Sequence, residues 1–167
     1  GTSMQVEAFV HGALCMSVSG QCYLSSVLGR RSGNRGLCAQ PCRLAFTAGG
    51  CGHALSLKDM SLIERVRELQ KTGVCSLKIE GRMKRPEYVA AAVTACRAAL
   101  AGETPDMESL RAVFSRSGFT DGYFDGRVDS SLFGYRQKED VTAAAGVLGK
   151  LENLYADPRR QVQKVGV

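Results

Sequence analysis

The sequence predicts an α/β fold in which strands and helices alternate over the first hundred residues and the sheet is left incomplete. Three observations predict it. Runs of β-formers at 6–11, 54–58 and 74–80 are separated by helical patterns at 59–71 and 86–100, as expected of parallel strands joined by crossovers. Residues 12 to 53 interrupt that alternation with Gly, Ser, Arg and Cys and little periodicity, so they read as one long loop needing its own source of order. Three such strands with two helices leave two edges and one face uncovered, so the rest of the fold must come from another part of the parent chain or from a partner.

Each element has its own warrant. Val6-Glu7-Ala8-Phe9-Val10-His11 alternates and is rich in β-formers, which places Glu7, Phe9 and His11 on one face; Gly12 ends it. Ala54 to Lys58 reads as a short strand running parallel to its neighbours. From Asp59, a plausible N-cap, Met60, Ile63, Val66, Arg67 and Leu69 follow a helical spacing up to Gly73. VCSLKIE, from Val74 to Glu80, is the next strand, with Lys78 and Glu80 on one side and Leu77 and Ile79 on the other. Pro86 opens a helix where its missing N–H costs nothing, and Gly102 ends it. Tyr88, Val89, Ala92, Val93, Cys96 and Leu100 are its predicted buried side. Beyond Pro105 the texture changes: a short helix at 107–114, aromatic and Gly-rich turns at 114–126, and a helix at 141–155 weakened by Gly146 and Gly149. The organisation is therefore β/α units over 4–102, carrying the inserted loop 12–53, and a mixed extension over 103–167.

The 167 residues carry a net charge of +6, which permits an anionic partner such as RNA without requiring one. No apolar run approaches the ~20 residues of a membrane helix. No basic-then-apolar leader opens the chain, so the expected location is cytoplasmic; Gly1-Thr2-Ser3 ahead of Met4 reads as a cloning remnant.

Seven cysteines are the informative count. Thiols stay reduced in the cytosol, so clustered ones point to metal or redox chemistry. Cys15, Cys22, Cys38 and Cys42 fall in the flexible loop with Cys51 nearby, whereas Cys75 and Cys96 sit in apolar surroundings and read as core. Four thiolates on one loop can converge on a single centre, and soft ligands of this kind select zinc or an iron–sulfur cluster. Zinc favours two short C-x2–4-C knuckles, and only Cys38–Cys42 is one, so the spacing tilts toward a cluster. Arg30, Arg31, Arg35 and Arg43 surround the thiols and are expected to lower their pKa values.

EAFVHGALCMSVSGQCYLSS (7–26), NRGLCAQPCR (34–43), SLKD (56–59), SLKIEGRMKRPEYV (76–89) and GFTDGYFDG (118–126) together resemble the blocks of the collagenase-like peptidase family, U-thirty-two. The resemblance covers most of residues 5 to 126; residues 127 to 167 carry none. It implies an incomplete TIM-barrel-like fragment, with 6–11 a late barrel strand, 74–80 the last, and the early strands upstream of Met4. It also implies a 4Fe–4S cluster on Cys15, Cys22, Cys38 and Cys42; in the quinone-modifying branch one ligand lies further downstream, which makes Cys51 the alternative fourth ligand. Members are associated with hydroxylation of RNA or of ubiquinone, and an older label is collagenase-like proteolysis.

Barrel geometry places active sites at the C-terminal ends of strands. His11, Lys58, Asp59, Glu80 and Arg82 occupy such ends and are the catalytic candidates. His53 reads as a solvated loop residue. The expected function is cluster-dependent hydroxylation of an RNA base or a small anionic or aromatic substrate such as a quinone. The alternatives are a peptidase, with Cys15 and His11 as a nucleophile–base pair, or a structural zinc site in an inactive fragment. The sequence has neither an H-E-x-x-H helix nor a G-x-S-x-G elbow. A barrel site needs loops from several strands, so the fragment alone is expected to be inactive, and its uncovered edges are expected to make it self-associate.

Overall fold

The computed structural model describes residues 4–18, 21–81 and 84–155. The chain forms a mixed α/β structure around one open, four-stranded sheet. In order, the elements are β1 (Val6–Ala13), α1 (Leu24–Gly29), β2 (Asp59–Ser61), α2 (Val66–Lys71), β3 (Val74–Ile79), α3 (Pro86–Ala101), α4 (Met107–Val113), β4 (Phe119–Thr120) and α5 (Lys138–Tyr155). Single 3-10 turns at Gly33–Arg35, Pro41–Arg43, Ile63–Arg65 and Ser130–Leu132 shape the connections. The spatial order is β3-β1-β2-β4. β1 pairs parallel with β3, as predicted; β1 and β2 are antiparallel, against the prediction, and β2 pairs parallel with β4, a strand in the segment expected to form turns.

The second predicted strand is therefore corrected in position and direction. Residues 54–58 form turns and a single bridge between Leu57 and Phe133, and the strand lies at 59–61. The backbone here bonds to residues 132–134, with the Lys58 N–H donating to Leu132 O at 2.8 Å and Ser56 O accepting from the Gly134 N–H at 3.0 Å, while the Leu57 carbonyl and Ser56 Oγ accept from the Arg43 guanidinium at 2.6 and 3.2 Å. Asp59 is consequently a strand residue and not an N-cap; the helical part of the 59–71 pattern begins at Ile63.

The core lies where α2, α3 and α4 cover the sheet. Val10, Leu62, Ile63, Val66, Leu69, Leu110 and Val113 meet a face of α3 made of Tyr88, Ala91, Ala92, Ala95, Cys96 and Ala99. That face is rotated from the predicted one: Val89, Val93 and Leu100 are about two-fifths exposed. Small side chains let neighbouring helices approach α3 closely, so its alanines are inside while its larger aliphatics stand outside. Pro86 occupies the first turn, and Gly102 closes the helix in the left-handed conformation, with the Glu103 N–H donating to Ala98 O at 2.9 Å. Cys96 is core as expected, but Cys75 is exposed on the edge strand β3.

Among the described residues, none covers the opposite face of the sheet. Leu77 and Ile79 pack toward the core, as the alternation requires, while Lys78 turns outward to pair with Glu7 at 3.4 Å and to lie over the Phe9 ring. Phe9 and Val6 are nearly half exposed. The shared face predicted for Glu7, Phe9 and His11 ends before His11: a register shift between Phe9 and His11 breaks the alternation, and Val10 and His11 are both fully enclosed. The aromatic turn at 118–126 is pinned by Arg65, which pairs with Asp121 and Asp125 and lies 4.5 Å from the Phe124 ring centroid. α4 is capped by Asp106, whose carboxylate accepts from the Ser109 N–H at 2.9 Å.

Candidate functional site

The antiparallel β2 fixes where the site lies. Asp59 at its start faces Ala13 at the end of β1 and Phe119 at the start of β4, so the finish of β1 and β3 coincides with the beginning of β2 and β4. The long loop leaves at this end. Gly12 is needed at the exit: its φ is +143°, and a Cβ there would sit 2.5 Å from Glu80 Cβ, on the crossing end of β3.

The loop folds back so that Cys15, Cys22, Cys38 and Cys42 all line one cavity of about 760 Å³, together with Met16, Val18, Pro41 and Leu55. All four are free thiols; the first three are exposed and Cys42 is half-buried. Cys51 does not line this cavity. It sits exposed in a tight turn bridged to Ala48. Among the described residues, no three Cys, His, Asp or Glu side chains are drawn together as a single-ion site. The backbone supports the thiols directly: the Gln40 N–H points at Cys38 Sγ at 3.3 Å, and the Ala39 N–H donates to buried Ser25 Oγ at 3.0 Å.

Of the four basic residues expected around the thiols, Arg43 carries the structural weight. Besides Ser56 and Leu57 it donates to Leu14 O at 2.6 Å, tying both ends of the loop to its middle. Arg31 donates to the Leu37 carbonyl, and Arg30 closes α1 in the left-handed conformation. The expected lowering of thiol pKa does not hold at Cys42: burial raises it, and the other three thiols add to the rise, against the opposing charge of Arg43.

Beside the thiol cavity lies a second, cationic site. Asp59, 1% exposed, accepts from Arg116, 6% exposed, in a buried ion pair at 2.5 Å. The second Nη of Arg116 donates to Gln40 Oε1 at 3.1 Å. Gln40 lies between two of the cysteines and holds a left-handed φ of 56°, which turns its side chain away from them. Arg116, Gln40, Lys84, Arg85, Tyr88, Phe114 and Arg136 line a cavity of about 660 Å³. Lys84 Nζ is 2.8 Å from the Phe114 ring centroid, and the Arg136 and Arg116 guanidiniums are 4.6 and 4.9 Å from it. Burial, and the neighbouring guanidiniums against the attraction of Asp59, press the Lys84 pKa down to about 7. An adjoining hollow of about 340 Å³ shares Gln40, Phe114, Arg116 and Arg136 and adds Arg43, His53 and Tyr135.

The structure brings three of the five catalytic candidates together. His11, Asp59 and Glu80 surround Tyr88, whose hydroxyl pKa is raised by burial and then by the charges of Asp59 and Glu80. His11 is fully buried against Tyr88 and Phe119, and neither ring nitrogen has a hydrogen-bond partner. Burial, with Lys84 adding to it, lowers its pKa to about 4, so the ring is neutral at pH 7. Glu80 is held through its backbone, which donates to His11 O at 2.8 Å. Lys58 is half-buried, with its stem against Gly134. Arg82 lies outside the described residues. His53 is corrected from a solvated residue: it is half-buried and stacks on Tyr135 at 4.1 Å between ring centroids. Arg116, Phe114, Gln40 and Arg136 were not singled out from the sequence. The one available signal was the SRSGF run, where an arginine stands between two serines just ahead of the aromatic turn.

The arrangement is a thiol-lined loop at one end of a mixed sheet in an α/β protein. Residues 1–133 match the model of peptidase family U32, and the chain belongs to that family. It is 40% identical over 148 residues to a collagenase of Porphyromonas gingivalis, covering 76% of this chain and 40% of that protein. It is 38% identical over 121 residues to tRNA hydroxylation protein P1 of Bacillus subtilis, covering 64% of this chain and 29% of that protein. A 23S rRNA 5-hydroxycytidine synthase of Escherichia coli is 44% identical over 96 residues, 53% of this chain and 15% of that protein. The chain thus spans well under half the length of these curated relatives. No solved structure matches it.

Proposed function

We propose that this chain is the cluster-bearing part of a hydroxylation-type enzyme acting on RNA bases, with a 4Fe–4S cluster held by Cys15, Cys22, Cys38 and Cys42. The observation that carries the reading is the convergence of those four cysteines, spread over a long loop, on one cavity. The donor set is all thiolate, the ligand type such clusters take. A cavity of about 760 Å³ has room for a cluster, and the spacing, with Cys38–Cys42 as its one short knuckle, is unlike that of a structural zinc site. When bound, the cluster supplies electron transfer. The chain's own residues position it: Arg43 fixes the loop, and the Gln40 N–H donates toward the Cys38 sulfur. Asp59 acts by holding Arg116 in the neighbouring cationic cavity. The relatives named for tRNA and rRNA hydroxylation support RNA over a quinone or other small aromatic.

Collagenase relatives favour a peptidase as the second reading. A Cys15–His11 pair gives it no support, because His11 is enclosed with both nitrogens unpartnered. The fold as an incomplete barrel, completed by upstream strands of the parent, belongs to the same proposal; it accounts for the exposed Glu7, Phe9 and Lys78 face, which would then line the barrel interior.

The deciding experiment is metal analysis of anaerobically prepared protein. The expected result is brown protein, absorbing broadly near ~400 nm, with about four irons per chain. Stoichiometric zinc without iron would sink the cluster. Cys42→Ser is expected to lose iron and Cys51→Ser to keep it; the reverse reassigns the fourth ligand.

A further inference from the structure

The cationic cavity has no role in holding a cluster, yet its charge is unbalanced. Lys84, Arg85, Arg116 and Arg136 line it, and Arg43 lines the adjoining hollow. Against these five basic groups stand, among the described residues, three carboxylates: Asp59, bound to Arg116, Glu87, 3.7 Å from Arg85 Nε, and Glu80, beside Tyr88. Among the described residues neither Lys84 nor Arg136 has a carboxylate partner; both lie over the Phe114 ring. Like charges gathered in a partly dehydrated cleft repel one another, and the repulsion is relieved by an anion. Guanidinium forks with an ammonium match phosphate oxygens better than a single carboxylate. The adjoining hollow adds a flat surface: Tyr135, 40% exposed, is backed by the stacked His53 ring. A cationic cleft next to a supported aromatic face is how single-stranded nucleic acid is held.

We propose that this cleft binds one nucleotide unit of a single-stranded RNA, its phosphate between Lys84 and Arg136 and its base against Tyr135. The proposal deepens, and rests on, the RNA reading above. It gives that reading a grip on the strand beside the thiol cavity, with Gln40 between the two. Arg116 shapes the cleft but is already engaged by Asp59 and Gln40.

The test is binding, with no turnover required. A fluorescently labelled single-stranded RNA oligonucleotide is titrated with the whole chain across a range of salt concentrations, and inorganic phosphate is the competitor. The Lys84→Gln, Arg136→Gln double variant is expected to bind about tenfold or more weakly, and to lose ~1.4 from the log–log salt slope, two phosphate contacts at ~0.7 each. Tyr135→Ala is expected to lose several-fold in affinity with the salt slope unchanged, since stacking releases no counterions. Melting curves check that each variant is folded; Lys84→Gln removes a charge the fold already disfavours. If RNA binds and all variants bind it as the native chain does, the cleft is not the site, while the RNA reading stands. If the native chain binds no RNA but phosphate saturates it, the RNA assignment falls and with it the reading it rests on. If neither binds, the site itself is overturned.

Discussion

The two cavities at the end of the sheet are neighbours with opposite construction. The thiol cavity is assembled from one loop, with almost no regular structure and three of its four cysteines exposed. The cationic cavity is assembled from segments far apart in sequence, around a buried ion pair linking residues 59 and 116. The difference teaches where each draws its order. The four thiols are held by loop contacts, the Arg43 hydrogen bonds and a lining of Met16, Val18, Pro41 and Leu55, and a bound group would add to that order. The cationic cavity is already rigid, because the fold's own core and an enclosed salt bridge fix it.

The sharpest way to break this comparison is at the ion pair. Removing one partner of a buried pair leaves a charge without compensation, which costs about 3–5 kcal/mol. Asp59→Ala is therefore expected to destabilise the chain by that order in a denaturant titration. It should also loosen Gln40 and the second cavity. Asp59→Ala together with Arg116→Met should recover most of the loss, because no orphan charge remains. A single variant costing under about 1 kcal/mol would mean that the pair is solvated and the cavity no more rigid than its neighbour.

Next in size is the acid response of His11. Its pKa falls from 6.5 to about 4 on folding. Between those values the unfolded chain binds the proton and the folded chain does not, so stability is lost as pH falls through the window. The loss amounts to about 3 kcal/mol from the 2.5-unit difference, and the stability is fully present above pH 6.5. His11→Phe keeps a ring against Tyr88 and Phe119 and removes the titration. Its denaturation midpoint should decline less than the native chain's between pH 6.5 and 4, the remainder coming from carboxylates such as Glu7 and Glu68, whose pKa values are lowered by their hydrogen-bond partners. An undiminished acid slope in His11→Phe would place the titrating group elsewhere.

How much was legible follows the same divide. Cys15, Cys22, Cys38 and Cys42 were readable because their chemistry is local and their spacing rare. β1, β3 and α3 were readable because alternation, Pro86 and Gly102 are local signals too. The Asp59–Arg116 pair was not, since nothing within either segment announces a partner 57 positions away. Arg43 misled for a related reason: it read as one of a set of basic residues tuning thiols, whereas its three acceptors on Leu14, Ser56 and Leu57 make it a structural staple between segments far apart in sequence. On α3 the error was one of size. Periodicity identifies a helix, but it does not say whether alanines or valines face the neighbour, and close packing chose the alanines.

The smallest expected effect lies at Gln40, which sits between the two cavities. Its N–H serves Cys38 on one side and its side chain accepts from Arg116 on the other. Its φ of 56° is costly for any residue with a Cβ, by roughly 1–2 kcal/mol, and free for glycine. Gln40→Ala keeps the strain and loses the acceptor, so it should destabilise by about 1.5–3 kcal/mol, the range for a hydrogen bond to a charged group. Gln40→Gly loses the same acceptor but relieves the strain, so it should fall within about 1 kcal/mol of the native chain and melt above Gln40→Ala. That order tests whether the backbone conformation at Gln40 is held against its own preference by the Arg116 contact. If Gln40→Gly melts at or below Gln40→Ala, no strain is stored there, and the two cavities are neighbours without being coupled.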